Sequence, residues 1–293
     1  MREKKVAVFT PTYNRAYILP QLYESLCNQT NKDFLWLIVD DGSTDNTANV
    51  VKHWMQEGKV VIQYYKQQNG GKQRAYNLGV QKCEAELFVV VDSDDFITDD
   101  CIAELLKKWE EVKDNNKIAG VIALRGYKNG KPLGTYFPNG LKYTTTIELY
   151  GKWKFKGDMT MMYRTEILKK YPYWVADGEK FMGEGYVWRQ IDQHYQLAIL
   201  PKLLMKGEYL PDGYTQNVRR LAKDNPRSYM VLKRQTVEFS DSLVDKYLQT
   251  ILCMVGCIMS KEKRMISQVP NKFLGFIAYI PAWIAWFIFF KNA

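Results

Sequence analysis

Three aspartates fall within four positions in VVVDSDDF (89–96), directly after a run of valines. Like charges about 4 Å apart repel by roughly 1 kcal/mol in water, and by several at a lower effective dielectric. In an extended strand end, residues i and i+2 point the same way, so Asp92 and Asp94 converge. A hard divalent cation, Mn²⁺ or Mg²⁺ with oxygen ligands, would neutralise the pair and bridge it to a substrate phosphate. Helix capping is the plain alternative, since acids favour helix N-termini. Thr98 as cap, with Asp99 and Asp100 in the first turn, explains those two acids and leaves Asp92 and Asp94 unexplained. Asp95 stands as a direct metal ligand, a supporting partner or a link to the next helix.

Three other stretches carry chemistry of the same kind. DDGSTDNT (40–47) is a second acidic strand end. Ser43 or Thr44 would cap the following helix, while a carboxylate at Asp40 or Asp41 suits a nucleobase N–H. The phosphohydrolase pattern DxDxT fails here, because position 42 is glycine. PTYN (11–14) offers the Tyr13 ring for base stacking or for plain packing. NGGKQRAYN (69–77) sets two glycines before a helix that opens with Lys72 and Arg74. Backbone amides, the helix dipole and two cations suit a diphosphate; a solvated basic helix start is the alternative. Neither GxxxxGK[ST] nor GxGxxG occurs.

The elements that must hold these stretches alternate over the first 125 residues. Strands are expected at 4–10, 34–40, 60–66, 86–92 and 118–124. Ile18, Leu19, Leu22, Tyr23 and Leu26 share one helical face, as do Ile102, Leu105, Leu106 and Trp109. Continuous apolar strands between helices imply a mostly parallel sheet covered on both faces, with ligands beyond the carboxyl ends of its strands. TPTYNR, DDGST and DSDD then share one rim. Residues 126–215 read as hairpins and loops over that rim, and 216–268 as helical.

Taken in order and spacing, TPTYNR, IVDDGSTDNT, NGGKQRAYNLG and VVVDSDDF resemble the family 2 glycosyltransferases of the GT-A fold, across residues 1–125. The resemblance implies a nucleotide-diphosphate sugar donor, a divalent metal and inversion at the anomeric carbon. It places Asp41 on the nucleobase with Asp40 beside it, and Tyr13, next to Pro11, near the base. It sets Asp92, Ser93 and Asp94 at the ribose and metal–diphosphate. Many members carry Arg where this chain has Tyr76; Arg74 or Lys72 would serve instead. The implied metal set is Asp92, Asp94 and Asp95.

Inverting transfer needs a base for the acceptor hydroxyl. GEKFMGEGYVWRQI (178–191) holds the best candidate, Glu184, before an amphipathic stretch; plain helix capping is its alternative. Glu179 and Asp177 are the fallbacks. Asp212, Arg219 and Arg220 lie in a stretch that resembles a donor-closing segment of the family. Trp153, Trp174 and Trp188 could stack on sugars, with core packing the plainer expectation. His194 reads as structural.

The whole chain sets the frame. It has 293 residues, 46% hydrophobic and 25% charged, with a net charge of +9. The stretch 202–272 carries 13 Lys and Arg against seven Asp and Glu. That suits an anionic membrane face, and no nucleic-acid recognition motif accompanies it. Five cysteines without a CxxC pair, and two histidines, argue against a disulfide scaffold and a structural zinc site. No signal-peptide pattern opens the chain, so a cytoplasmic location is expected. Residues 273–290 carry no charge. As a helix they reach roughly 27 Å, marginal for a ~30 Å hydrocarbon core. Pro281 interrupts them and tryptophans sit well inside, which favours a helix in or dipping into the cytoplasmic leaflet over a span or a packed helix.

The expected organisation is a GT-A domain over 1–215, with donor (1–125) and acceptor (126–215) halves, and a helical membrane-associating extension over 216–293. The expected activity is transfer of a sugar from a UDP-sugar to a saccharide or lipid-linked acceptor in surface polysaccharide or glycolipid synthesis. An inactive nucleotide-sugar-binding subunit at the membrane is the runner-up. A nucleotidyltransferase is disfavoured, because PTYN stands where its Gly-rich basic loop would be.

Overall fold

Four strands carry all four motifs at their carboxyl ends. The computed structural model describes residues 4–208 and 217–291. In it, β1 (Val6–Thr12) and β2 (Phe34–Asp40) are buried along their whole lengths. With β3 (Ile62–Lys66) and β4 (Leu87–Val90) they form a parallel array in the order β3-β2-β1-β4. Runs without polar alternation fit this placement, since both faces are covered. Pro11 is tolerated in β1 because its β4 neighbour has stopped: that ladder ends at Phe9↔Val90, and Pro11 lies against Val39 alone.

Four helices connect the array: α1 (Leu19–Cys27), α2 (Thr47–Glu57), α3 (Lys72–Lys82) and α4 (Cys101–Val112). Leu19, Leu22, Tyr23 and Leu26 of α1 are buried, as their spacing requires. The Tyr23 ring stacks on Trp54 at 4.3 Å, and Trp36 lies 5.7 Å from Trp54. The Trp36 indole N–H donates to Thr10 Oγ1 at 2.9 Å, and that hydroxyl donates on to the Val91 carbonyl. The buried polar groups are thereby satisfied, and the ends of β1, β2 and β4 are fixed together. α4 starts after Asp100, not Thr98; the Thr98 hydroxyl donates to Asp100 at 2.7 Å.

Beyond β4 the sheet turns mixed. β5 (Phe96–Ile97), β6 (Ile118–Gly126), β7 (Tyr143–Thr144), β8 (Met159–Arg164) and β9 (Gln196–Lys206) continue it as β4-β8-β6-β9-β5, with β7 on β9. β8 is antiparallel to both β4 and β6, while β6 and β9 are parallel. The stretch expected as loops and hairpins thus supplies sheet strands. MTMMYR and QLAILPKLLMK are apolar enough to be buried, but their Met, Lys and Thr content hides the strand signal. The short helices α5 (Thr146–Gly151), opened by a Thr145–Glu148 capping box, and α6 (Thr165–Leu168) flank β8.

The chain divides into two compact units: 1–172 with 194–208, and 173–193 with 209–293. The expected boundary at 215 therefore shifts, because 173–193 belongs with the C-terminal helices. Those are α7 (Gly185–Asp192), α8 (Val218–Asp224), α9 (Pro226–Phe239), α10 (Leu243–Met259), α11 (Met265–Gln268) and α12 (Lys272–Phe289). The reason is local hydrogen bonding. Glu179 accepts from the Arg227 and Ser228 backbone N–H groups, both at 2.8 Å, and Asn225 accepts from those of Lys180 and Phe181. Among the described residues, α12 alone is long and apolar enough to cross a membrane, and only 17% of it is buried.

Candidate functional site

The first two loops of the rim are tied into one body. Asn14 adopts a left-handed φ of 53°, which Asn tolerates better than most residues. Its side-chain oxygen accepts from the Thr44 N–H at 2.8 Å and the Asp45 N–H at 3.3 Å, while its own N–H donates to Ser43 Oγ. Asp45 accepts from the Thr47 N–H and hydroxyl at the start of α2, the task expected of Ser43 or Thr44. Tyr13 is 47% exposed, with its ring free of the core. Pro11 is buried in β1.

The acids after β2 are both held by hydrogen bonds on each oxygen. Asp40 is fully buried; it accepts from the Ser43 N–H at 2.6 Å and the Tyr64 hydroxyl at 2.5 Å. Asp41 accepts from Gln67 Nε2 at 2.7 Å, Asn69 Nδ2 at 3.1 Å, and the Gly70 and Gly71 N–H groups at 2.8 and 2.7 Å. Four donors match the acceptor capacity of a carboxylate. Asp41, expected at a nucleobase, thus organises the loop before α3, and a base N–H would have to replace one of these donors. Gly71, at φ 96°, lets that loop turn directly into the helix.

The acids after β4 are not saturated. The strand ends at Val90, so Asp92 and Asp94 sit in a tight turn, closed by the Asp95 N–H to the Asp92 carbonyl at 3.0 Å, rather than on an extended end. Lys72, from the first turn of α3, pairs with Asp92 at 2.8 Å. Burial opposes charge on Asp92, but the Lys72 ammonium outweighs it and holds that carboxyl below the usual range. Burial, then the charge on Asp92, pushes Asp94 up. Among the described residues, none donates a side-chain hydrogen bond to the Asp94 carboxylate. Ser93 is buried in the same turn. Arg74 turns back onto the Gly70 carbonyl at 2.8 Å. Tyr76 is buried between Phe9 and Phe88, with ring centroids 5.7 and 5.6 Å away.

Asp95 differs from its neighbours. Its carboxylate accepts from Arg125 at 2.6 Å, and Arg125 also reaches Asp158 at 2.9 Å. Burial pushes the Asp95 carboxyl up to about 7; Arg125 pulls it down and Asp92 and Asp94 push it up again. One Asp95 oxygen is thus engaged in a buried ion pair with Arg125, as one Asp92 oxygen is with Lys72. Among the described residues, no group of three His, Cys, Asp or Glu side chains is placed to hold a metal ion. The donor chemistry of Asp92 and Asp94 nonetheless suits a hard divalent ion that takes its other ligands from substrate and water, since Asp94 stays raised by burial and by Asp92 despite Arg15 and Arg125.

Glu184 lies in the second unit, immediately before α7, and its side chain makes no capping bond, so helix capping does not account for it. Its carbonyl accepts from the Tyr173 hydroxyl at 3.2 Å. Both oxygens of the fallback Glu179 accept from backbone N–H groups at the start of α9. Asp177 is exposed on a turn. Arg219 lies over the Phe289 ring at 5.3 Å and Arg220 pairs loosely with Asp224 at 3.7 Å. Asp212 lies outside the described residues. Trp153 and Trp174 are 41% and 44% exposed, contrary to core packing. Trp188 is half-buried, and His194 sits exposed, 6.4 Å from Tyr171.

Sequence reading missed Asn14, Gln67, Asn69, Arg125 and Asp158 in the first unit, and Asn225 and Ser228 in the second. Arg125 had a signal: a charge at the end of the buried run IAGVIALRG, the same kind that marks Asp92. Gly207 had none. A Cβ there would stand 1.8 Å from Asp95 Oδ1, so glycine leaves room for the Asp95–Arg125 pair.

Comparison with known proteins identifies the family and the fold. Residues 7–172 match the model of "Glycosyl transferase family 2". An uncharacterized glycosyltransferase of Methanocaldococcus jannaschii is 27% identical over 80% of each chain. The poly(ribitol-phosphate) beta-N-acetylglucosaminyltransferase TarP of Staphylococcus aureus is 26% identical over 67% of this chain and 58% of its own. Other relatives are matched over less of their length: 38% for the glycosyltransferase GlyG of Streptococcus pneumoniae, and 16% for an uncharacterized glycosyltransferase of Rickettsia bellii. Among solved structures, S. aureus TarS 1-349 in complex with UDP-GlcNAc superposes at TM-score 0.57 and 19% identity, over 96% of this chain and 91% of its own. A Pyrobaculum calidifontis mannosyltransferase with GDP-Man and Mn²⁺ gives 0.57 at 13%, over 100% and 83%. These structural likenesses carry the fold.

Proposed function

From the premise that the chain belongs to glycosyl transferase family 2 and is a glycosyltransferase, we propose that it transfers a sugar, with inversion, from a UDP-sugar to a hydroxyl of a saccharide or lipid-linked acceptor. Its place is the cytoplasmic face of a membrane, and its product a surface polysaccharide or glycolipid. The observation that carries the reading is the contrast at the rim: Asp92 is paired with Lys72 at 2.8 Å, whereas burial and the charge on Asp92 push Asp94 up against the weaker pull of Arg15 and Arg125. The TarS complexes with UDP-GlcNAc and with UDP support a UDP-linked donor, and TarP is a poly(ribitol-phosphate) beta-N-acetylglucosaminyltransferase.

In this reading Tyr13 stacks on the base, and Asp40 and Asp41 hold the loops that frame it. Lys72, Arg74 and the α3 N-terminus balance the diphosphate. Asp92 and Asp94 would hold a divalent ion, Mn²⁺ or Mg²⁺, which would supply Lewis-acid neutralisation of the diphosphate. Glu184 accepts the acceptor hydroxyl proton as that oxygen bonds to the anomeric carbon and the bond to the nucleoside diphosphate breaks. The chain-specific assignment is Glu184. Glu184→Gln is expected to bind UDP-sugar as the unsubstituted chain does, by calorimetry, while transfer falls about 10²- to 10⁴-fold. Unchanged transfer would move the base elsewhere. Transfer by the unsubstituted chain would rule out the runner-up, a donor-binding subunit without catalysis.

A further inference from the structure

We propose that α12 is an in-plane membrane anchor: its exposed face enters a single leaflet, and the cationic pocket at its N-terminal end takes phosphates of anionic lipids. This deepens the membrane part of the reading above and rests on it only for the side of the membrane. Gly275, Ala278 and Ala282 form the buried stripe of α12. Ala278 and Ala282 share one apolar cluster with Cys253, Met254 and Cys257 of α10. The opposite face exposes Phe273, Phe276, Ile280, Ile284 and Phe287, with Phe276 73% and Ile280 70% accessible. An apolar face of this kind on a folded unit marks a contact surface.

Both ends of α12 are fastened to the same unit. At the start, a Cβ on Gly275 would lie 2.6 Å from the Val269 side chain. At the end, Phe290 meets the Tyr229 ring of α9 at 6.0 Å. A transmembrane pose would draw α10 and α9 into hydrocarbon with it, including Asp245, Lys246, Lys233 and Arg234, which is heavily disfavoured. Ile277, Tyr279, Trp283, Ile288 and Phe289 are exposed as well, so it is the packing of the Ala278–Ala282 stripe on α10, rather than a single exposed face, that holds the helix along the interface.

The charges specify the lipid. A cavity of about 400 Å³ is lined by Lys263, Arg264, Ser267, Lys272 and Tyr279, together with Met265 and Ile266. Lys272 donates to the Ser267 and Val269 carbonyls and so fixes the wall. Lys263 and Arg264 are exposed at the rim. Between 261 and 291 there are five Lys and Arg against one acid, Glu262. Cations beside an apolar face match phosphate beside acyl chains.

The test is flotation of the full chain with vesicles of phosphatidylcholine alone or mixed with phosphatidylglycerol. Binding to the anionic vesicles is expected to exceed that to neutral ones at least tenfold. Lys263→Glu with Arg264→Glu should abolish the difference, and Phe276→Ser with Ile280→Ser should lower binding to both. Circular dichroism and donor binding without lipid confirm that each variant is folded, and they keep this test separate from the transfer chemistry. For depth, a thiol-linked fluorophore is placed in turn at Phe273→Cys, Ile280→Cys and Phe287→Cys, with the unsubstituted chain as background. Equal, shallow quenching by brominated lipids at all three positions is the expected result. Deep quenching at 280 between shallow ends would show a span and overturn the proposal, as would no binding to either vesicle.

Discussion

The two acidic strand ends of the first unit look alike as sequence and differ as chemistry. After β2, Asp41 accepts four hydrogen bonds, from Gln67, Asn69 and the Gly70 and Gly71 amides, and the fully buried Asp40 accepts one on each oxygen, from the Ser43 amide and the Tyr64 hydroxyl. After β4, Asp92 has one strong partner and Asp94 has its charge opposed by burial and by a like neighbour. A carboxylate whose bonds are complete is scaffold, since any ligand must first break what is made. A carboxylate held in excess charge is poised to take a cation. Asp95, with Arg125, shows the first behaviour inside the second motif.

The comparison breaks most clearly at Asp94. Asp94→Asn is expected to lower transfer about 10³-fold, roughly 4 kcal/mol of activation free energy, with thermal stability unchanged or slightly raised because a repulsion is removed. A loss of folding there would make Asp94 scaffold. Next is Arg125→Met, which strands Asp95 in the interior and should destabilise the chain by about 3 kcal/mol in urea unfolding. Adding Asp95→Leu should recover much of that loss, which separates a buried pair from a substrate contact. Asp41→Asn follows. It presents amide hydrogens to two of the four donors and should lower stability by about 2 kcal/mol, with donor affinity falling only as the 67–71 loop loosens. Stability intact with donor affinity lost would return Asp41 to the nucleobase.

The smallest effect sharpens the same logic on a cation. Burial, then the charge of Arg189, lowers Lys233 to about 8, against a weaker opposing pull from Asp245. Between that value and the ordinary 10.5 the unfolded chain holds a proton that the folded chain has lost, so stability rises with pH across this window. Lys233→Met should raise stability at pH 7 by about 1 kcal/mol, a solvent-moderated figure for a half-buried side chain, and flatten the alkaline rise.

Much of this was legible in the sequence because the signals are local. VAVFTPT and FLWLIVD announce buried parallel strands, and the acids at their ends announce a rim. What sequence could not separate was Asp41 from Asp94, since saturation depends on Gln67 and Asn69, some 26 to 28 positions away. The Arg125–Asp95 pair spans 30 positions and needs a glycine at 207. The segment 173–193 joined the C-terminal unit through Glu179, Asn225 and Ser228, bonds that no local pattern encodes. Local periodicity reads elements; long-range hydrogen bonding decides which polar residue is structure and which is chemistry.

The most direct measurement is calorimetric titration of Mn²⁺ into the chain with saturating UDP, compared across the unsubstituted chain, Asp94→Asn and Asp40→Asn. One Mn²⁺ per chain is expected for the unsubstituted protein and for the folded Asp40→Asn variant, and none for Asp94→Asn. Full Mn²⁺ binding by Asp94→Asn, or its loss only in Asp40→Asn, would contradict the division between scaffold and chemistry.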